Sequence, residues 1–489
     1  VKLPAETLEH IESLERGFAE RGRFDLGATG GPDRGAHVDF DVILAGGGLS
    51  LVYGAYLAQR GLRVAIFDKR KIGCGHREWN ISRAELQPLV DAELFSAAEV
   101  DALVLTEYDH GICRWHGGGT YAVKRVLDCV VDAERLLETL RARAQAAGAT
   151  LLDHHGFAGY RTGKGGLTVT LDGATRSLSG RVLLDGLGAS SPHAEFDLVC
   201  PTVGGVLGDL RTIDSTGDST GDSTGDSAGD RSADPLAVDP RIGEILVTTE
   251  GVEDDRQHIW EGFPGPSGAF TTYLFYYTEP SRLPERPLLS LYERFFATRP
   301  RYKAGDATLR KPTYGFIPAY SRLRPMPAAR DRVLLVGDAA GRHSPLTFCG
   351  FGSMIRSFLP VADGLRALVA EDRLDARALA SVWREPPGLA VMGGLTLMMV
   401  PGRKLTRDPG DINRLLDAAF ASLAELGDDI YGAFVRDQIG FSDFIAFMRA
   451  TARRRPTIYD EVFAQLSPAE IARWTLRLGG LAFSKWRSG

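Results

Sequence analysis

The stretch "FDVILAGGGLSLVYGAYLAQRGLRVAIFDKR", residues 40–70, constrains the fold of this chain more than any other. It opens on a near-continuous apolar run, as a parallel strand covered on both faces requires. Gly46, Gly47 and Gly48 follow where such a strand turns into a helix. Glycines there let backbone N–H groups and the helix N-terminus approach a pyrophosphate. The helix ends near Gly61, and "RVAIFD" forms a second strand ending on Asp68. A carboxylate about twenty residues beyond the glycine turn is placed to bind ribose hydroxyls. The third fingerprint position holds Leu51, where close helix-to-strand packing asks for Gly or Ala, so the helix is expected to stand slightly farther from the strand. Strand, turn, helix, strand and acid together predict a Rossmann-like α/β nucleotide-binding domain.

The bulk properties narrow the class. With 489 residues, the chain has room for two or three domains, and 44% apolar with 25% charged residues is ordinary for a globular protein. A net charge of -6 with no dominant Lys/Arg cluster excludes nucleic acid as the expected partner. The five cysteines are scattered and form no CxxC pair, which fits a reducing cytosol and removes the usual zinc signal. His154 and His155 after Asp153 make no metal site, because neighbours on a strand point to opposite faces. No metal is expected. The opening segment carries too many Glu and Arg for a signal peptide, so the chain reads as not secreted. Leu8, Ile11, Leu14 and Phe18 instead recur at helical spacing. No run reaches the roughly 18 apolar residues of a spanning helix. The Met-rich "GLAVMGGLTLMMV" (388–400), followed by Arg403 and Lys404, reads either as an interfacial surface or as helical core.

These signals divide the chain into an N-terminal helix and Gly-rich linker (1–37), a discontinuous nucleotide-binding domain (38–75, 120–192 and 310–375), a β-sheet substrate domain (76–119 and 193–309) and a C-terminal helical region (376–489). The tetrapeptide repeat "DSTGDSTGDSTGDSAGD" (214–230) is too polar to bury and reads as a disordered surface insertion. It lacks the longer period and apolar positions of calcium-binding repeats.

A second cofactor signal lies far downstream in "RVLLVGDAAGRHSPLTFCGFG" (332–352), where a buried strand ends on Gly337 and Asp338 before a glycine-rich helix start with Gly350 and Gly352. Two such motifs so far apart suit a long cofactor with a ribityl chain better than NAD. "VGDAAG" resembles the second FAD motif of flavoproteins with the para-hydroxybenzoate hydroxylase fold, and "VLLDGLG" (182–188), with Asp185, resembles their Asp-Gly motif. Three further blocks, "REWNISRAEL" (77–86), "IWEGFPGPSGAFTTYLFYY" (259–277) and "GDAAGRHSPLTFCGFGSMIR" (337–356), resemble the CruA/CruP type of lycopene cyclase. "LLDAAFASLAELGDDIYGAFVRDQIGF" (415–441) adds a fourth.

The resemblance implies an α/β fold with a Rossmann-like FAD-binding domain, a β-sheet substrate domain and a helical C-terminus. It further implies FAD with NAD(P)H as its reductant, Asp338 on the ribityl chain, lycopene or a related carotene as substrate, and a cytoplasmic enzyme in peripheral contact with a membrane. Such cyclases turn linear ψ-ends into β-rings by adding and removing a proton. The acid must be a carboxyl kept protonated by an apolar setting. Glu261, between Trp260 and Phe263, is the first candidate, with a structural carboxylate as the alternative. Glu78 is the second. Arg83 is expected on the cofactor or a carboxylate, and His343 either near the flavin edge or in a structural role. A redox enzyme of the same fold (a monooxygenase or a polyprenyl reductase) and a non-cyclising paralogue remain open.

Overall fold

The computed structural model describes residues 3–20, 25–33, 35–75, 77–172, 177–213, 234–321, 327–343, 346, 347, 349–384, 388–401 and 408–487. The repeat at 214–230, and Arg403 and Lys404, lie outside the described residues.

A nine-stranded sheet carries the expected nucleotide-binding unit. Phe40–Ala45 lies parallel between Val64–Asp68 and Ser177–Asp185, and Thr150–Asp153 extends the sheet beyond Val64–Asp68. Val333–Leu335 joins in parallel on the other side of Ser177–Asp185. These strands are apolar along their length because helices cover the sheet, and Val42, Ile43, Leu44 and Ala45 are all fully buried. The parallel strand ends, and the loops that follow them, therefore meet at one edge.

The glycine-turn helix, Leu51–Gln59, departs from the fingerprint in an instructive way. Leu51 is fully buried and contributes to the core. The close approach occurs one turn later, at Gly54, where an added Cβ would stand 2.6 Å from Ile66 Cδ1 and 3.0 Å from Leu44 Cδ2. The expected larger separation is thus corrected: the glycine that admits the sheet side chains has moved along the helix.

A seven-stranded sheet forms the second layer, in the order Gly305–Ala319, Leu198–Leu210, Phe270–Phe275, Ile259–Pro264, Ile242–Val247, His110–Arg114 and Thr120–Val123. The sequence-based boundaries shift accordingly. Thr120–Val123 and Gly305–Ala319 belong to this sheet and not to the first, because both complete its ladder of backbone hydrogen bonds. One face is covered by the helix Pro287–Tyr302 and by Ala5–Ala19, whose Ile11 and Phe18 are buried while Leu8 is 37% exposed. Within the predicted linker, Asp25–Thr29 adds a parallel edge strand to Phe157–Thr162. A glycine-containing edge strand this short lacks the apolar alternation that reveals strands in sequence.

The other face of the seven-stranded sheet meets the C-terminal helices, which include Asp411–Leu426 and Phe441–Arg454. Met392, Met398 and Met399 are buried in this core, so the interfacial reading of that stretch gives way to the packing one. No helix among the described residues is long and apolar enough to cross a membrane.

Candidate functional site

A cavity of about 260 Å³ opens where the two sheets meet. Its first wall comes from backbone turns: Gly48 to Ser50, the turn Gly186 to Gly188, and the loop Val336 to Asp338. Nothing stands within 4 Å of a Cβ built on Gly48, which leaves its backbone open to the cavity. Gly46, at φ +106°, lies so close to the Gly186 carbonyl that an added Cβ would be 2.5 Å from the oxygen. Gly47 donates its N–H to Asp68 Oδ2 at 2.8 Å, so Asp68 braces the turn while standing at the end of its strand.

Asp185 is buried beneath the wall. It accepts from Ser191 Oγ at 2.6 Å and from the Leu187 N–H at 3.1 Å, and burial lifts its pKa to about 6 despite these bonds. It shapes the Gly186 to Gly188 turn, whose two glycines line the cavity. Gly337, Asp338 and Gly350 line it directly. Gly352 faces away, since its missing Cβ makes room for the Glu85 carboxylate, which pairs with Arg356. Two helices, Leu51–Gln59 and Gly350–Glu371, start at this wall. Their unpaired N–H groups and positive dipole ends suit a phosphate or another anion.

The opposite wall belongs to the second sheet. Glu261 stands on Ile259–Pro264 directly across from Tyr273, and both line the cavity. Desolvation raises the Glu261 pKa to about 7, and a hydrogen bond from the Asn80 side chain opposes the rise. The expected neighbour Trp260 is absent from this face, because strand alternation sends it to the far side, stacked on Tyr302 at 4.6 Å. The rings near Glu261 come from elsewhere: Tyr273 and Phe275 from the adjacent strand, and Trp79 stacked on Phe351 at 4.9 Å.

Glu78 also lines the cavity, but the Lys311 ammonium holds its carboxylate at 2.6 Å. The Tyr273 hydroxyl accepts from the Glu78 N–H at 2.9 Å and donates to the Glu78 carbonyl at 2.8 Å, which ties the two walls together. His343 is buried against the same space, with Nδ1 3.9 Å from Asp338 Oδ1. Arg83 stands apart: its guanidinium pairs with Asp101 and Glu107 outside the cavity lining, so the expected cofactor contact is replaced by a surface ion-pair cluster. Tyr273, Asn80 and the Trp79–Phe351 stack were not singled out from the sequence. Only Asn80 and Trp79 carried a signal, through their place beside Glu78. Among the described residues, no group of three or more His, Cys, Asp or Glu is placed to hold a metal ion.

The chain has the α/β FAD-binding fold of para-hydroxybenzoate hydroxylase-like flavoproteins, with mixed sheets and a C-terminal helical region. Among solved structures it is similar to the halogenase PltM in complex with FAD, at a TM-score of 0.58 and 14% identity over 92% of this chain and 93% of that one. A geranylgeranyl bacteriochlorophyll reductase-like protein from Thermoplasma acidophilum matches at 0.54 and 14%, over 87% and 99% of the two chains. The Diels-Alderase PyrE3 matches at 0.53 and 17%, over 82% and 80%. No protein-family model and no curated protein matches the chain.

Proposed function

We propose that the chain binds FAD along the glycine-lined wall and uses Glu261 to protonate an apolar polyene, closing the linear ends of lycopene or a related carotene into β-rings. The observation that carries this reading is a single carboxyl, Glu261, lifted to about pKa 7 in the cavity that Gly48 and Asp338 also line. A group with that pKa is about half protonated at neutral pH, where general-acid catalysis is most effective. Glu78, held by Lys311, is the poorer donor.

In the proposed reaction Glu261 gives its proton to the terminal double bond, the internal alkene attacks the resulting cation to form the ring, and a neighbouring carbon loses a proton. No electrons are gained or lost. Tyr273, Phe275, Trp79 and Phe351 present ring faces suited to a transient cation and exclude water. Reduced FAD, when bound, supplies negative charge opposite that cation, and NAD(P)H is the reductant in this reading. The backbone of Gly48 and the side chain of Asp338 are the groups that hold the cofactor. Asp338→Ala is expected to retain less than about a tenth of the flavin of the unmodified protein, read from absorbance after purification. Full retention removes Asp338 from the binding set. A water-insoluble substrate is collected at a bilayer, so peripheral membrane contact belongs to the proposal.

Expression in a lycopene-accumulating bacterial host tests the reading directly. The expected pigment has the mass of lycopene and the spectrum of γ-carotene or β-carotene. A second reading, a redox enzyme acting on a polyprenyl chain, is favoured by the similarity to the geranylgeranyl reductase-like structure. It predicts a product heavier by hydrogen, or by oxygen for a monooxygenase, formed with stoichiometric loss of NAD(P)H. Intact lycopene beside FAD-loaded protein would favour a non-cyclising paralogue.

A further inference from the structure

A second cleft, of about 210 Å³, lies along the helix Gly350–Glu371 on a stripe that includes Ser353 and Arg356. Three guanidinium side chains line it, Arg342, Arg356 and Arg384, and no carboxylate does. Arg356 is compensated by the buried Glu85, so Arg342 and Arg384 set the charge of the wall. Arg384 is exposed, and Gln438 adds an amide to the lining. Trp383 borders the cleft with its indole N–H fixed on the Leu335 carbonyl at 3.1 Å, which holds the ring in place. A narrow passage connects this cleft to the cavity described above. Arg342, Ser353 and Trp383 line both cleft and passage, and Asp338, His343 and Gly350 line both passage and cavity.

We propose that the arginine cleft seats the phosphate groups of a reduced nicotinamide dinucleotide, with the nicotinamide end directed toward the passage. The inference rests on the reading of the neighbouring cavity as the FAD site. Guanidinium forks match phosphate oxygens in pairs, and a wall with cations and no carboxylate favours an anion over a neutral ligand. The cleft is larger than a free phosphate requires, and its continuity with the flavin-side cavity gives the ligand a direction. An indole face beside it suits the flat base of a dinucleotide.

The test is equilibrium dialysis of NADPH, and separately of inorganic pyrophosphate, against the full chain purified with its flavin. Arg384→Ala is expected to weaken NADPH binding about ten- to a hundredfold. Arg384→Lys should recover part of the loss, and added salt should weaken binding to the unmodified protein. Pyrophosphate is expected to compete with NADPH. Because Arg384 is exposed, these variants should keep their flavin and unfolding midpoint; Arg342→Gln provides a second probe of the same wall. NADPH affinity unchanged within twofold in both Arg384→Ala and Arg342→Gln overturns the proposal. So does Arg384-dependent binding of pyrophosphate without any binding of NADPH, which would mark a simple anion site. Flavin content and pigment products, measured on the same proteins, report separately on the functional reading.

Discussion

Glu261→Gln is expected to lower ring formation by about 10²–10⁴-fold while FAD content stays unchanged. Glutamine keeps the shape and the hydrogen bond with Asn80 but has no proton to give. Retained β-ring formation in the lycopene host would remove Glu261 as the acid. The same carboxyl imposes a signature on stability that needs no substrate. Its pKa rises from 4.5 to about 7 on folding, so between these values the folded chain binds more protons than the unfolded one. Stability from this group is therefore fully present below pH 4.5 and lost as pH rises through about 7, by a total on the order of 3 kcal/mol. Glu261→Gln should raise the unfolding midpoint at pH 8 and converge on the unmodified protein near pH 4.5. Parallel midpoints at both pH values would mean the carboxyl is already ionised in the folded chain.

The second large effect concerns the glycine-turn helix. A fingerprint read by position alone expects a small residue at 51 and treats residue 54 as ordinary. The packing predicts the reverse. Leu51→Ala should cost about 2–5 kcal/mol, because it removes a fully buried side chain from the core. Gly54→Val should cost about 3 kcal/mol, because its first carbon already meets Ile66 and Leu44 below contact distance and its branches have no room. Chemical denaturation of both variants measures this. A neutral Gly54→Val would show that the helix rides on the sheet with slack.

Much of this architecture was legible because its signals are local. The strand, glycine turn, helix and second strand lie within one stretch, and the Asp338 loop repeats the pattern of a buried strand ending in small residues. The candidate acid was legible in part, since a carboxylate amid aromatic residues stands out. The rings assigned to it were misread: adjacency in a strand means opposite faces, so Trp260 lies across the sheet from the cavity. Its true neighbours arrive through pairing register, as Tyr273 does, or from distant loops, as Trp79 and Phe351 do. Arg83 failed for a related reason. It sits among suggestive residues in sequence, yet Asp101 and Glu107 reach it in space. Nothing in the sequence of residues 77–86 reveals that competition.

The strand Ser177–Asp185 is flanked by Phe40–Ala45 on one side and by Val333–Leu335 on the other. The ribosome delivers that last strand only after the whole second sheet has been made. At about 5–20 residues per second, roughly 7 to 30 s separate Asp185 from Val333. During that interval the end of Ser177–Asp185 waits with an open edge, and the loop carrying Asp338 does not yet exist. A nascent chain of this kind has its glycine turn long before it has the opposite wall. Cofactor capture is thereby tied to the closing stages of synthesis, and the open edge is the place where a helper protein would be needed during that wait.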